Sequence, residues 1–277
     1  LAEDADILDP TMARTYVGRI VFASICDKLF DIDADLNIVP QLALSHAVSD
    51  DGKQLTITLR PDVKFHDGEA MDAEAVKYSL ERHMTMQGSF RRGELSVVDN
   101  VEVVDPLTVR LNLKAPFAPL LATLTDRSGM IVSPKAAEAA GENFGLAPVC
   151  AGPYKFVERI QQDRIVLEKF ADHRDADNYH FDRLTFLPIP DSTVRLANLR
   201  SGDLDFVERM AATDAAAVEA DPNLIALDVT SLGYISIYVN VGNGARAESD
   251  IGQNKLLRQA FSKAIDREAI FQIVYEG

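Results

Sequence analysis

The chain has 277 residues, 47% hydrophobic and 26% charged, a globular composition whose length accommodates two domains. Its 43 acidic residues against 28 basic ones leave a net charge of −15, so no basic face is available for phosphates, and nucleic acid and anionic membrane surfaces are disfavoured as partners. No stretch approaches the ~20 apolar residues that span a bilayer. Leu1–Pro10 carries four acidic side chains rather than a basic, apolar leader, so an export signal, if used, is expected to have been removed already.

In chain order, the first predicted helix covers Val17–Phe30. A strand follows at Leu55–Arg60, where Leu55, Ile57 and Leu59 alternate with Thr56, Thr58 and Arg60 after a turn at Asp51-Gly52. Past a second turn at Asp67-Gly68, Asp72 is placed to cap a helix whose apolar stripe includes Val76 and Leu80, with Glu74 favouring its N-terminal dipole. Val101 and Val103, then Val109, Leu111 and Leu113, form a hairpin around Asp105-Pro106, and Tyr154–Phe156 with Ile165–Leu167 form another across Gln161-Gln162-Asp163.

The pattern then changes. Leu184–Ile189 reads as a strand, Asp191 caps a helix running through Arg200, Ser201-Gly202 ends it, and Leu204–Val207 reads as a second strand, which together predict a right-handed βαβ crossover with parallel pairing. Ile235–Val239 reads as a strand leading into the glycine-rich loop at Val241–Gly244. Near the end, Leu257, Ala260, Phe261 and Ala264 line one face of a helix, and Asp266 caps the next.

Cys26 and Cys150 match no metal-ligand spacing. One disulfide is open to them, but the burial preference of free cysteine favours reading them as two small apolar core residues.

The run Leu59-Arg60-Pro61-Asp62-Val63-Lys64-Phe65-His66-Asp67-Gly68, continuing into Asp72-Ala73-Glu74-Ala75-Val76 and Ser79-Leu80-Glu81-Arg82, closely resembles the peptide/nickel/opine solute-binding proteins, family 5 of the extracytoplasmic solute-binding proteins. Further blocks resemble the family in its order. They are Leu8-Asp9-Pro10, Asp105-Pro106-Leu107-Thr108-Val109-Arg110, Gly152-Pro153-Tyr154-Lys155-Phe156, Ser201-Gly202-Asp203-Leu204-Asp205, and Arg258-Gln259-Ala260 with Ala264-Ile265-Asp266-Arg267-Glu268. One departure stands at Cys150, where the family usually carries glycine; a cysteine resists the positive φ a glycine allows.

The resemblance implies an α/β fold of the type II periplasmic binding kind, a two-lobed clamp with mixed sheets that closes over a solute. On that template residues 1–40 and 150–245 belong to the first lobe, 41–149 to an inserted subdomain, and 246–277 to the start of a second lobe. Family members are longer, so the rest of the second lobe is expected outside this sequence, and the apolar stripe at 257–264 is expected to lack its packing partners.

The resemblance further implies a monomer without enzymatic activity or cofactor. It would capture a small solute, a short peptide or peptide-like compound, in the periplasm and pass it to the membrane permease of an ABC importer. A ligand-binding receptor subunit for chemosensing is the neighbouring reading; a hydrolase is the reading from another class. Arg14, Arg19, Arg127 and Tyr234 are the candidate ligand residues. They stand in blocks that reach the cleft by family analogy, guanidinium groups suit carboxylates, and a tyrosine can stack on a solute or pack at a hinge.

The residues set other chemistries lower. His66-Asp67 reads as a turn rather than a metal pair, and Ser24, Ser45 and Ser79 lack a G-x-S-x-G elbow and an assigned base. Val241–Gly244 lacks the lysine and length of a phosphate loop, and Asp172–Asp177 lacks the ligand spacing of a calcium loop.

Overall fold

Residues 1–227 and 235–275 are described by the computed structural model and fall into two units, Leu1–Pro190 and Asp191–Gly277. In the first unit an irregular opening leads into α1 (Tyr16–Ile25), a hairpin of β1 (Phe30–Ile32) and β2 (Ile38–Pro40), then β3 (Ala43–Val48) and β4 (Gln54–Leu59). Next come α2 (Ala73–Thr85), β5 (Val98–Asp105), β6 (Thr108–Leu113), the one-turn α3 (Leu120–Thr123) and α4 (Pro134–Ala140). Strands β7 (Tyr154–Ile160), β8 (Arg164–Lys169) and β9 (Arg183–Phe186) complete the unit. The second unit contains α5 (Ser192–Ser201), α6 (Ala215–Glu219), α7 (Asp250–Gln253), α8 (Lys255–Ala264) and α9 (Arg267–Val274).

The alternation read at residues 55–59 builds the centre of an antiparallel sheet in the order β3-β4-β6-β5. Leu55 stands opposite Leu111 and Ile57 opposite Val109, so one face is apolar, while Thr56 and Thr58 face Arg110 and Thr108 on the other. Helix α2 covers the apolar face with Val76 and Leu80, both buried, and the Asp72 carboxylate accepts the Ala75 N–H as predicted for an N-cap. Phe65, Leu59 and Leu95 fill the same core, each such side chain contributing about 1.5–3 kcal/mol by leaving water. A second core gathers Leu8, Val21, Phe22 and Ile25 with Phe144, Tyr154, Ile165 and Leu167 against the sheet β7-β8-β9.

Four expectations are corrected. The predicted βαβ crossover is absent: β9 pairs antiparallel with β8, and Leu204–Val207 forms no strand, Phe206 standing 70% exposed. Pro188 and Pro190 supply no N–H for a ladder, which cuts β9 short. The parallel neighbour of this stretch is instead the opening residue: Leu1 N donates to Leu187 O at 2.8 Å and Ile189 N to Leu1 O at 2.9 Å, the slanted pattern of a parallel pair. The helix expected through Phe30 ends at Ile25, whose carbonyl is taken by Gly152 N at 2.9 Å from outside the helix.

Third, Ile235–Val239 carries no strand, and Ile235, Ile237 and Tyr238 are exposed. Last, the two cysteines are not separate core residues. Cys26 and Cys150 are bonded across 124 positions with their Cα atoms 4.9 Å apart, since the main-chain contact of Gly152 with Ile25 brings the two segments within bridging distance. Cys150 lies in an extended bridge with Val132 and needs no positive φ. In this turn it is position 152 that requires glycine, since a Cβ there would lie 2.3 Å from Ile25 O. In the second unit α8 forms over the predicted stripe, with Leu257 and Phe261 left 44% and 41% exposed beside Ile251.

Candidate functional site

The start of α1 is positioned by the buried Asp9. Its carbonyl accepts Met12 N and Ala13 N, and its carboxylate accepts Thr11 N at 2.9 Å and the fork of Arg82 from α2, Nη1 to Oδ1 at 2.8 Å and Nη2 to Oδ2 at 2.6 Å. This anchors residues 9–13 on α2 and turns the carbonyls of Ala13 and Thr15 toward the loop at 126–130. Arg127 enters there. It is 4% exposed and donates through Nη1 to Ala13 O at 2.9 Å and to Thr15 O at 3.4 Å.

Two of the four candidate residues, Arg19 and Arg127, meet at Asp126. Asp126 receives Arg19, Nε to Oδ1 at 3.2 Å and Nη2 to Oδ2 at 2.6 Å, and the Nε of Arg127 lies 3.7 Å from its Oδ1. Burial pushes the Asp126 carboxyl up, but the Arg19 fork and the Arg127 charge outweigh it and hold the group below the usual carboxylate range. Arg127 is drawn below its ordinary value by burial, with Asp126 opposing. Arg14 lies on the exposed side: its N–H donates to Asp6 Oδ2 at 2.8 Å, while its guanidinium, 3.8 Å from Asp6 by Nε, sits 4.8 Å over the Phe90 ring. Tyr234 lies outside the described residues.

Two members of this cluster escaped the sequence reading. Arg91, 3% exposed, donates to the same Ala13 carbonyl at 3.2 Å and pairs with Glu94 at 2.8 Å, and Glu94 also accepts the hydroxyl of Ser128. Neighbouring Arg92 turns outward onto the carbonyls of Met84, Thr85 and Met86 at the end of α2. Adjacent arginines in a polar loop carry no periodicity that separates the buried one from the capping one. What the sequence offered was only Gly88-Ser89-Phe90, a break that ends α2 and starts a loop.

The competing chemistries are occupied by structure. His66 Nε2 donates to Gly152 O at 3.0 Å and Nδ1 accepts Cys150 N at 3.4 Å, and burial pushes its pKa down to about 4 with the Gly152 bond opposing. Asp67 accepts Ser133 Oγ at 2.6 Å and Glu69 N at 3.2 Å, the turn role expected of it. Ser79 donates to Ala75 O and accepts Val132 N. Asp172 pairs with Lys64 and Asp175 with Arg174. No group of three or more histidine, cysteine, aspartate or glutamate side chains able to hold a metal ion occurs among the described residues, and none of the described helices is long and apolar enough to cross a membrane.

Residues 37–277 match the family described as bacterial extracellular solute-binding proteins, family 5 Middle. The chain is 33% identical over 271 residues to the glutathione-binding protein GsiB of Pectobacterium atrosepticum, covering 98% of this chain and 52% of that protein. The GsiB of Escherichia coli O1:K1 / APEC is 31% identical over the same length. Among solved structures, the binding protein AgaA from A. tumefacien R10 in complex with agropinic acid has a TM-score of 0.75 at 32% identity, over 80% of this chain and 45% of that one. NikZ from Campylobacter jejuni, in complex with Ni(L-His), has a TM-score of 0.87 at 24% identity over 99% of this chain and 54% of that one, a likeness of fold. The chain thus spans about half the length of the curated relatives it matches.

Proposed function

We propose, for a chain that belongs to the bacterial extracellular solute-binding proteins of family 5, that it forms part of the solute-binding component of an ABC import system. It captures a small peptide-like solute in the periplasm and presents it to a membrane permease. The observation that carries this reading is that Arg19 and Arg127 come together at Asp126 beside the start of α1, planar cations of the kind suited to a carboxylate, with the exposed Arg14 on the segment leading into that helix. Glutathione, bound by the curated relatives, and agropinic acid, bound by AgaA, are both carboxylate-bearing compounds.

The buried disulfide supports an oxidising compartment, where such bonds persist. Capture is by binding and closure of a clamp, with the first lobe in residues 1–40 and 150–245, the inserted subdomain in 41–149 and the second lobe beginning at 246. Arg14, Arg19, Arg127 and Tyr234 contact the solute or hold the residues that do.

A thermal-shift screen of the full-length protein against glutathione, opines, di- and tripeptides and nickel–histidine tests this, because a ligand that binds only the native state raises its Tm. A carboxylate-bearing solute that raises Tm in the wild type and less in Arg14→Ala is the expected result. Peptide turnover by the same protein, or a Tm rise that Arg14→Ala leaves intact, would overturn the reading.

A further inference from the structure

Arg19 lies off the buried side of α1, its side chain 49% exposed, and only one edge of its guanidinium is engaged. Nε and Nη2 donate to the two oxygens of Asp126 at 3.2 and 2.6 Å. A guanidinium has a second edge, where the other N–H of Nη2 runs parallel to one on Nη1. Nη1 of Arg19 makes no hydrogen bond among the described residues, so that edge is a complete two-pronged donor of the kind a carboxylate accepts. The anchor behind it is itself held: Asp126 O accepts Gly129 N at 2.8 Å, and Gly129 O accepts Leu29 N at 2.8 Å. The charged groups acting on one another here are Arg19, Arg91 and Arg127 against Asp126 and Glu94, so one positive charge is left in excess and the Arg19–Asp126 pair does not neutralise the patch.

We propose that Asp126 is a positioning residue for Arg19: it fixes the guanidinium by its Nε–Nη2 edge so that the Nη1–Nη2 edge takes one carboxylate of the solute. The inference rests on the solute-binding reading above and deepens it, naming the acceptor of the carboxylate and the atoms that hold it. A free arginine loses rotamer freedom when it closes on an anion. At Arg19 the fork on Asp126 imposes that order before the solute arrives, so more of the charge-assisted bond appears as affinity. A lysine at this position would keep the charge but could not face two carboxylates with two parallel pairs of donors.

The test is NMR of the full-length protein carrying isotope-labelled arginine, with Arg19 assigned by its loss in Arg19→Lys, titrated with sodium acetate and, at equal ionic strength, with sodium chloride. In the wild type acetate is expected to shift the Nη1 resonance of Arg19 more than chloride does and to leave its Nε–H in place. Asp126→Ala removes the fork and no helix cap, since the Asp126 side chain makes none, and there acetate is expected to shift Nε–H as well. A wild-type Nη1 that acetate does not move, or an Nε–H that moves along with it, overturns the proposal without recourse to any variant, as does an Nε–H that acetate leaves in place in Asp126→Ala. A carboxylate-bearing solute found in the thermal-shift screen should bind Arg19→Lys more weakly by about tenfold or more. Equal binding would remove Arg19 and Asp126 and leave the solute-binding reading intact, whereas a screen in which no such solute binds removes that reading and the proposal with it.

Discussion

Arg82 of α2 closes a two-pronged ion pair on Asp9, 73 positions earlier, and the same Nη1 also reaches the hydroxyl of Thr11. Both side chains are nearly buried, at 9% and 1% exposure, so the pair differs in kind from a surface salt bridge. Removing one partner strands the other charge out of water. Arg82→Ala should therefore destabilise the chain by about 3–5 kcal/mol, and Arg82→Lys, which keeps the charge but not the fork, by less. Urea unfolding measures both; a loss in Arg82→Ala under about 1 kcal/mol would place the pair with exposed bridges of little worth.

The Cys26–Cys150 bond should carry a comparable share. It closes a loop of 124 positions, and on the chain-entropy account a loop of that order stabilises by about 4–5 kcal/mol, with measured native bonds in the range of about 2–5. The double variant Cys26→Ala/Cys150→Ala should lose that amount in guanidinium unfolding. Because Cys26 and Cys150 are 1% and 0% exposed, the wild type should resist mild reductant until it unfolds. Labelling of native protein by a thiol reagent after brief reduction would contradict this.

Acid should destabilise the first unit through two histidines. Burial pushes His66 and His83 down to about 4, and each donates from Nε2 to a carbonyl, Gly152 O and Met130 O respectively. The unfolded chain takes up those protons near pH 6.5 and the folded chain does not, so between about pH 6.5 and 4 the unfolded state binds more protons. Stability contributed by each histidine is thus full above pH 6.5 and falls as the pH drops, by up to on the order of 3 kcal/mol each at pH 4. His83→Gln, which cannot titrate, should show a shallower loss between pH 6.5 and 4 than the wild type in parallel unfolding curves. Identical slopes would mean that His83 is not a source of the acid sensitivity.

Much of the first unit was legible because it is made of local patterns. The alternation at Leu55–Leu59, the Asp72 cap and the two hairpins each settle within about a dozen residues, and each appears as read. What failed depends on partners distant in sequence. Leu184–Ile189 is strand-like in itself, but its pattern does not say that its first half pairs with β8 and that its parallel neighbour further on is Leu1 rather than Leu204. For Cys26 and Cys150 a disulfide was open but the apolar reading was favoured, because the contact of Gly152 with Ile25 that brings them together is not local. At the site, family position and carboxylate chemistry pointed to Arg14, Arg19 and Arg127 and set the loop 126–130 near the cleft, but the part of Asp126 in joining Arg19 to Arg127 was not legible, since nothing local marks an aspartate that receives a fork from 107 positions away.

The final prediction separates two of the candidate arginines, which differ in burial. Arg14 is 66% exposed and holds Asp6 only loosely, so Arg14→Ala should change stability by no more than about 1 kcal/mol. Its effect should appear instead in solute binding by the full-length protein, as a loss of about tenfold or more, because a charge-assisted bond to a carboxylate is worth at least 1.4 kcal/mol. Arg127 inverts the pattern. It satisfies the carbonyl of Ala13, a fully buried residue, and Arg127→Ala leaves that acceptor to Arg91 alone, at a cost of about 1–3 kcal/mol in unfolding free energy. Because residues 13–15 lead directly into α1, Arg127→Ala should also loosen the start of that helix, measured as faster amide exchange at Ile20 and Val21, whose acceptors four residues back lie in its first turn, while Arg14→Ala should leave those amides unchanged. Equal exchange in the two variants would show that the buried guanidinium does not position the helix that carries Arg19.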